Sequence, residues 1–539
     1  MQNMDSFREL LKKNKKPVFI LGGIFLVGIF LRTYQFHDWL RFSHDQARDA
    51  WLVGSAIEGR HALPLLGPNA GTTAYQLGPI YYYFSYLSGK ILGNYPDKLA
   101  YPSLIFSILS IPLLWLFLRK FFATNIALAM TIIASVSYFL VINSRFSSNP
   151  NLITFFVLLY LYALLEILNN QKKSNLWWSV GVGAGLGVGI QLHTTLLIAM
   201  PLVTLVVFAY LLRRKFIAIW KSLLIIFVVT LVLNGGQVYH EFQSYGKNSR
   251  IFLAGFQQSS GKSAYGQGVF SIAACQIQAN SHIISSFQED DRCRDIFHAS
   301  TGNGEDRWSY YLGMTLAVLF SAWGYFLLGR RFWQEKEMEK KNFLGLVILF
   351  NVVSLAILVP IADMIYVGYF INLFFIPFIL LGLILEALQQ KLGKIGLGVG
   401  IGVITVLLIC SLDRDIRTAA SYRAGLENNA ENSTLGEVER MKDYIFATLD
   451  GQTKFYFSGQ EELKGRFFYP IEYFARRSGV KIEKVDLSPE NGTKLNSSTP
   501  IYYIEANGAG RIEPGQTRAG HQIISSKQFA SQTILLLGN

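Results

Sequence analysis

The sequence predicts a polytopic α-helical membrane protein of about eleven crossings, closed by a small C-terminal α/β domain. Three observations predict it. Hydrophobic residues make up 51% of the chain and charged ones only 16%, against roughly a quarter charged in soluble domains. Apolar runs of about 20 residues, long enough to cross a bilayer, recur through residue 412. Basic residues collect in short clusters between alternate runs, the pattern of positive-inside topology. That scatter also decides what the net charge of +13 means. No face or tail gathers it, so nucleic acid is not an expected partner; the lipid bilayer is.

The first run, VFILGGIFLVGIFL, follows the basic stretch RELLKKNKKP (8–17) and carries no small-residue cleavage site. It reads as an uncleaved anchor with its basic end in the cytoplasm. The runs fall at 17–33, 99–118, 124–142, 151–168, 176–192, 195–212, 216–234, 309–329, 342–360, 367–388 and 395–412. Alternate connections hold Arg119 and Lys120, Lys172 and Lys173, then Arg213, Arg214 and Lys215. Arg330, Arg331, Lys336, Lys340 and Lys341 follow, then Lys391 and Lys394. The opposite short connections hold only Arg145, His193 and Asp363. A cytoplasmic N-terminus and an extracytoplasmic C-terminus satisfy every loop of this multi-pass protein.

The same count settles GPIYYYFSYLSGKIL (78–92), which is apolar enough to be taken for a span. If it crossed, every later basic cluster would flip. Its tyrosines suit the membrane interface. Residues 34–98 are therefore one extracytoplasmic loop with two interfacial helices, inside a transmembrane domain covering 1–412. Residues 235–308 form a second long, polar extracytoplasmic loop. From 413 to 539 the composition becomes that of a soluble domain. TLGEVERMKDYIFATL and LKGRFFYPIEYFARRSG have helical periodicity, while TKFYFSG, VKIEKVDL and PIYYIEA read as strands. Cys410 lies in an apolar run; Cys275 and Cys293 share the second loop, as one bridge or as two free thiols.

The chemistry concentrates in FSHDQARDAW (42–51), immediately after the first span. Ser43 followed by Gln46 is a capping-box pattern, so a helix starts at 43. Asp45, Arg48, Asp49 and Leu52 then share one face. An ionised carboxylate there can take a proton from an attacking hydroxyl, and the arginine can hold a leaving phosphate. By spacing alone, an interfacial helix keeping its charges toward water accounts for the same pattern.

Context is supplied by motif order. DQARDA (45–50) resembles the Asp-Glu-x-Arg-Tyr-Ala element of GT-C glycosyltransferases, in the branch of bacterial aminoarabinose transferases and protein O-mannosyltransferases. GPIYYYF (78–84) resembles the Pro-Ile-x-x-Tyr start of their second juxtamembrane helix. NSRFSSNPN (143–151) falls where aminoarabinose transferases carry Leu-Asp-Pro, and QLHTT (191–195) and VYHEF (238–242) are similar to segments of this broad group.

The resemblance implies an inverting glycosyltransferase that moves a sugar from a polyprenyl-phosphate carrier to an extracytoplasmic lipid, glycan or protein acceptor. Carried over, Asp45 is the general base and Arg48 a phosphate ligand, joined in that role by Arg145 and His193. Asp49, Asn149, Asn151, Tyr82 and Glu241 are the substrate-binding candidates. Two departures stand out. Asn149 occupies the second acidic position and Gly78 the lysine position of the aminoarabinose transferases, so that sugar is not implied. Neither a cofactor nor a metal site is indicated by ligand spacing. A transporter or flippase of a lipid-linked glycan, a glycan polymerase or ligase, and a non-catalytic assembly protein are the competing readings.

Overall fold

The computed structural model describes residues 15–71, 73–170, 176–213, 219–259, 265–286, 307–424, 433–487, 499–507, 515–529 and 532–538. The protein is mostly helical and spans the membrane several times. Among the described residues, seven helices are long and apolar enough to cross a bilayer, or up to nine if each bent pair is one span. Helix α1 (Lys15–Thr33) is followed by two short helices, α2 (His44–Ile57) and α3 (Ile80–Leu92), then by α4 (Pro96–Leu118). The two short helices expected between the first and second apolar runs are α2 and α3.

Helices α5 (Thr124–Val136) and α6 (Tyr138–Ser144) form one bent pair, turned by 53°. Next come α7 (Ile153–Asn169), α8 (Leu176–Leu192) and α9 (Thr194–Arg213). The glycine-rich α8 packs against α7 and against α10 (Ile219–Leu233). From α10 the chain turns by 68° into α11 (Gly235–Gln243) and continues into α12 (Lys247–Ser259) and α13 (Tyr265–Ser285). Helices α14 (Arg307–Gln334), α15 (Met338–Leu358) and α16 (Ile376–Ala424) complete the bundle. Within α16, Gly393 has φ 54° and ψ −123°, a conformation that any Cβ would oppose. It divides the 49-residue helix into two apolar lengths.

One region departs from the sequence reading. Residues 235–308 read as a polar loop, yet their described part is three helices, and α13 packs against α6, α14 and α16. Gln276, Gln278, Asn280 and His282 on it are buried, and two of these bond to the bundle. Gln276 donates to Asn351 at 2.7 Å and to the Tyr325 hydroxyl, and Asn280 to Ser321 at 3.3 Å. Cys275, also buried, is held in a disulfide, and Cys410 is free. Cys293 lies outside the described residues.

The C-terminal domain has a six-stranded sheet in the order β2-β1-β3-β6-β5-β4. Its strands are β1 (Lys454–Gly459), β2 (Lys481–Lys484), β3 (Ile501–Ala506), β4 (Thr517–Arg518), β5 (His521–Phe529) and β6 (Gln532–Gly538). β1 runs parallel to β2 and β3, and the other pairs are antiparallel. Helices α17 (Leu435–Ala447) and α18 (Glu461–Arg477) accompany the sheet, and α18 packs on α2. A backbone ribbon joins this domain to the end of α1. Phe42 donates to Ser433, Leu435 to Leu40 and Gly436 to Asp38, at 2.8, 2.8 and 3.2 Å.

Candidate functional site

The site is built on the first turns of α2. Ser43 has extended backbone angles and caps the helix, and its N–H donates to the Gln46 Oε1 at 3.2 Å. Ala47, Ala50, Val53 and Gly54 are buried, with α2 packed on α3 and α18, which leaves Asp45 and Arg48 on the open side. The Asp45 side chain is 62% exposed, Arg48 43% and Asp49 only 8%. Thus one helical face carries one open carboxylate and one buried carboxylate.

Arg48 lies between them. Its Nη1 donates to Asp45 Oδ1 at 2.9 Å, and its Nε and Nη2 both stand 2.9 Å from Asp49 Oδ1. The same oxygen of Asp49 accepts the Tyr82 hydroxyl at 3.0 Å. Burial pushes the Asp49 carboxyl up to about 6, against the opposing pull of Arg48 and of the Tyr82 hydrogen bond. Burial, and then the Asp49 charge, raises the Tyr82 phenol as well, so it stays a donor. His44 stands 3.5 Å from Asp45, and its ring meets that of Tyr469 on α18 with centroids 4.0 Å apart. The C-terminal domain therefore backs the site.

The motifs singled out by order meet around this helix. Tyr81 of GPIYYYF hydrogen-bonds Ser147 of NSRFSSNPN at 2.9 Å, and Gln46 donates to the Ser147 carbonyl at 3.4 Å. Gln191 of QLHTT accepts the Ile80 N–H at 3.1 Å and donates to the Leu233 carbonyl at 3.0 Å. A Cβ at Gly78 would fall 2.3 Å from the Gln191 side chain, so glycine at this position lets the start of α3 dock there. Asn149 donates to the Leu192 carbonyl at 2.6 Å, beside His193, whose ring faces Tyr369 at 5.2 Å.

The predicted site residues thus separate by placement. Asp45, Arg48, Asp49 and Tyr82 form one hydrogen-bonded cluster. Tyr82 is 3% exposed, so its ring is not a stacking surface and it reaches substrate only through Asp49. Asn149 and His193 form a second group at the junction of α8 and α9. Asn151 is buried, with its amide committed to the carbonyls of Asn143 and Phe146. Arg145 is buried too. Its guanidinium donates to the carbonyls of Leu31 and Tyr34 and lies 5.6 Å from the Trp39 ring, which places it in the packing between α1 and α6. Glu241, on α11, accepts the Ser249 N–H at 3.3 Å.

Sequence reasoning missed the part played by α18, because Tyr469 has no periodic or motif signal linking it to His44. It also missed a polar bridge between domains. His37 lies 3.2 Å from Asp97 and 3.0 Å from Glu439 of α17. Tyr95 donates to Glu439, and Lys98 pairs with Asp97 at 2.9 Å. Burial lowers the His37 pKa, but Glu439 and Asp97 together outweigh it and hold the imidazole above its ordinary value.

Comparison with known proteins bears on this geometry. Residues 76–234 match the family described as dolichyl-phosphate-mannose-protein mannosyltransferase. The matched segment includes α3, with Tyr82, and the α8–α9 junction but begins after Asp45, Arg48 and Asp49. Among solved structures, ArnT from Cupriavidus metallidurans in the apo state is similar at 11% identity, with a TM-score of 0.51 over 96% of this chain and 97% of that one. The same enzyme bound to undecaprenyl phosphate gives a TM-score of 0.49 at 11% identity, over 98% of each chain. The oligosaccharyltransferase of Archaeoglobus fulgidus in the apo form gives 0.49 at 14% identity, over 92% and 70%. At these identities the likeness is one of fold. No curated protein sequence matches the chain.

Proposed function

Taking as premise a membrane protein with the GT-C fold, ArnT-like and mannosyltransferase-like, we propose that it is an inverting glycosyltransferase drawing its sugar from a polyprenyl-phosphate carrier. The observation that carries this reading is the unequal pair of carboxylates on α2. Asp45 is open and Asp49 is buried, with Arg48 held between them. The matched family's description names a dolichyl-phosphate sugar as donor and a protein as acceptor, and both sugar and acceptor are proposals for this chain.

The chemistry follows from the difference in exposure. An exposed ion pair contributes about 0–1 kcal/mol, so the Asp45–Arg48 contact is easily exchanged. The Arg48–Asp49 contact is buried on the carboxylate side and fixes the guanidinium. A donor phosphate replaces Asp45 on Nη1, and Asp45 is released as a base. An acceptor hydroxyl attacks the anomeric carbon from the face opposite the phosphate, and its proton passes to Asp45. The carbon–oxygen bond to phosphate breaks with both electrons leaving on the phosphate, where Arg48 meets the growing charge. The sugar carbon is inverted. The donor is already activated, so no nucleotide is needed.

In this reading the N-terminus is cytoplasmic, and α2, α3 and the C-terminal domain are extracytoplasmic, as the loop charges require. The domains proposed are the membrane part, 1–412, and the extracytoplasmic part, 413–539. Carrier and sugar enter from the lipid side and the acceptor from the aqueous side. His193 and Asn149 are proposed to contact the donor beside the cluster, and Glu241 to face the acceptor. The test is transfer from a polyprenyl-phosphate sugar in proteoliposomes of the full chain, with Asp45→Asn as the control. Normal product formation by Asp45→Asn removes Asp45 as the base, and absence of transfer by the wild type across mannose, galactose and aminosugar donors overturns the reading.

A further inference from the structure

A second feature lies on the same side of the membrane as the C-terminal domain and takes no part in the reaction above. Between the end of α1, the end of α16 and the domain's helix α17 and strand β5 is a groove of about 650 Å³. Its walls carry three cations, Arg423, Arg440 and Lys527, and three acids, Asp38, Glu437 and Asp443. These charges are not equally free. Asp443 pairs with Lys442 at 2.7 Å, and Glu437 is buried and accepts from Gln532. Asp38 and Asp443 are both exposed, and the Asp443–Lys442 pair is the weaker kind of contact.

The cations are differently placed. Arg423 donates to the Tyr34 hydroxyl at 2.7 Å, and Lys527 lies 5.6 and 5.7 Å from the Tyr444 and Phe529 rings. Neither arrangement supplies a negative charge. Arg440 stands one turn beyond Glu437 and within its electrostatic reach. Among the described residues, none of the three forms an ion pair with a carboxylate within 4.0 Å. Three cations with no carboxylate of the described residues within 4.0 Å, set against the exposed Asp38 and Asp443, leave guanidinium and ammonium N–H groups to offer an anion.

The position of the groove selects the anion. A row of rings climbs from the lipid-facing surface to its mouth. Phe30, 58% exposed on α1, meets Tyr34 at 5.4 Å; Tyr34 meets Trp39 at 5.4 Å, and Trp39 meets Tyr422 at 5.4 Å. Such a belt marks the membrane–water boundary. Trp39, Tyr422 and Arg423 line the groove itself, so a headgroup seated there keeps its acyl chains along α1 and α16. We propose that this groove binds the phosphate of an anionic membrane lipid, tying the C-terminal domain to the bilayer surface.

The site is independent of the transferase reading, and so is its test. The purified full chain in detergent is incubated with phosphatidylglycerol or phosphatidylcholine and retained lipid is counted by native mass spectrometry. Wild type is expected to retain phosphatidylglycerol preferentially. The double variant Arg440→Gln with Lys527→Gln should lose that preference by about a hundredfold, roughly tenfold for each charge-assisted contact removed. Arg440→Lys should keep it. Both positions are exposed, and an unchanged melting temperature separates loss of binding from loss of fold. Equal retention by wild type and double variant overturns the proposal. So does displacement of the lipid by millimolar inorganic phosphate, which would make the groove a site for free phosphate.

Discussion

Two clusters put arginine beside carboxylate at the ends of membrane helices, and they differ in what the arginine has left to offer. In one, Arg48 joins the open Asp45 to the buried Asp49 and is itself 43% exposed. In the other, Arg32 and Arg145 are both buried near Asp415 of α16. Arg32 donates to the Ser107 hydroxyl at 3.0 Å and to the carbonyls of Gly28 and Ser135 at 3.1 and 2.7 Å. Arg145 donates to two carbonyls of the α1 end. The residue types are the same. Commitment to backbone carbonyls makes the second cluster a fastening, whereas accessible N–H groups make the first one usable by a ligand.

That contrast is testable by matched substitutions. Arg48→Ala takes the cation from the buried Asp49, which can then hold a proton. It should therefore lower the melting temperature only modestly while reducing transfer on the order of 10²–10³-fold, the usual loss of a transition-state charge contact. Arg145→Ala should do the reverse. It leaves a buried acid with one cation fewer and should destabilise the fold by about 3–5 kcal/mol, read as lower yield and melting temperature with normal turnover in the folded fraction. If Arg145→Ala instead folds normally and loses affinity for the donor, the contrast is broken and Arg145 is a phosphate ligand after all.

Asp49 sharpens the comparison from the side of pH. Its folded-state pKa, about 6, lies above its ordinary value of 3.8. The neutral form is thus favoured by the fold, and stability is lost as pH rises through 6. Transfer should move oppositely, falling below pH 6 as Asp49 loses the charge that holds Arg48. Asp49→Asn should flatten that limb at a low rate while raising the melting temperature at pH 8. A pH profile unchanged in Asp49→Asn would assign the limb to another group.

The smallest effect is expected at His37. Its pKa is raised by Glu439 and Asp97 despite the opposing effect of burial. The stabilisation it contributes is present below its ordinary value of 6.5 and fades as pH climbs through the higher folded value. Lys98, Tyr95, Asp97 and Glu439 are the polar groups facing it. Melting temperature should therefore fall modestly between pH 6 and pH 9 in the wild type and not in His37→Gln. Parallel curves would show that the bridge between domains does not depend on the imidazolium.

Much of this architecture is legible in one dimension because bilayers demand long apolar runs and local caps have local signatures. Ser43 and Gln46 announce the start of α2, and its i, i+3, i+4 spacing already groups Asp45, Arg48 and Asp49. Other features have no local signature. Tyr82 reads as one of three interfacial tyrosines, and its bond to Asp49 exists only because α3 packs on α2. Helix α13 reads as polar loop because Gln276 and Asn280 look solvated until Asn351, Tyr325 and Ser321 of other helices satisfy them. Arg145 reads as a membrane-edge cation, and its carbonyl partners come from residues more than 100 positions earlier.

The ribbon between residues 38–42 and 433–436 makes the terminal domain less an appendage than a keel. Three residues before Asp45, the chain is still held edge to edge by that domain. Cutting the domain away would strip the ribbon of the backbone bonds donated by Phe42, Leu435 and Gly436, and the anchor of α2 with them. A version of the protein shortened to its apolar helices would retain the residues of the cluster without the footing that aims them.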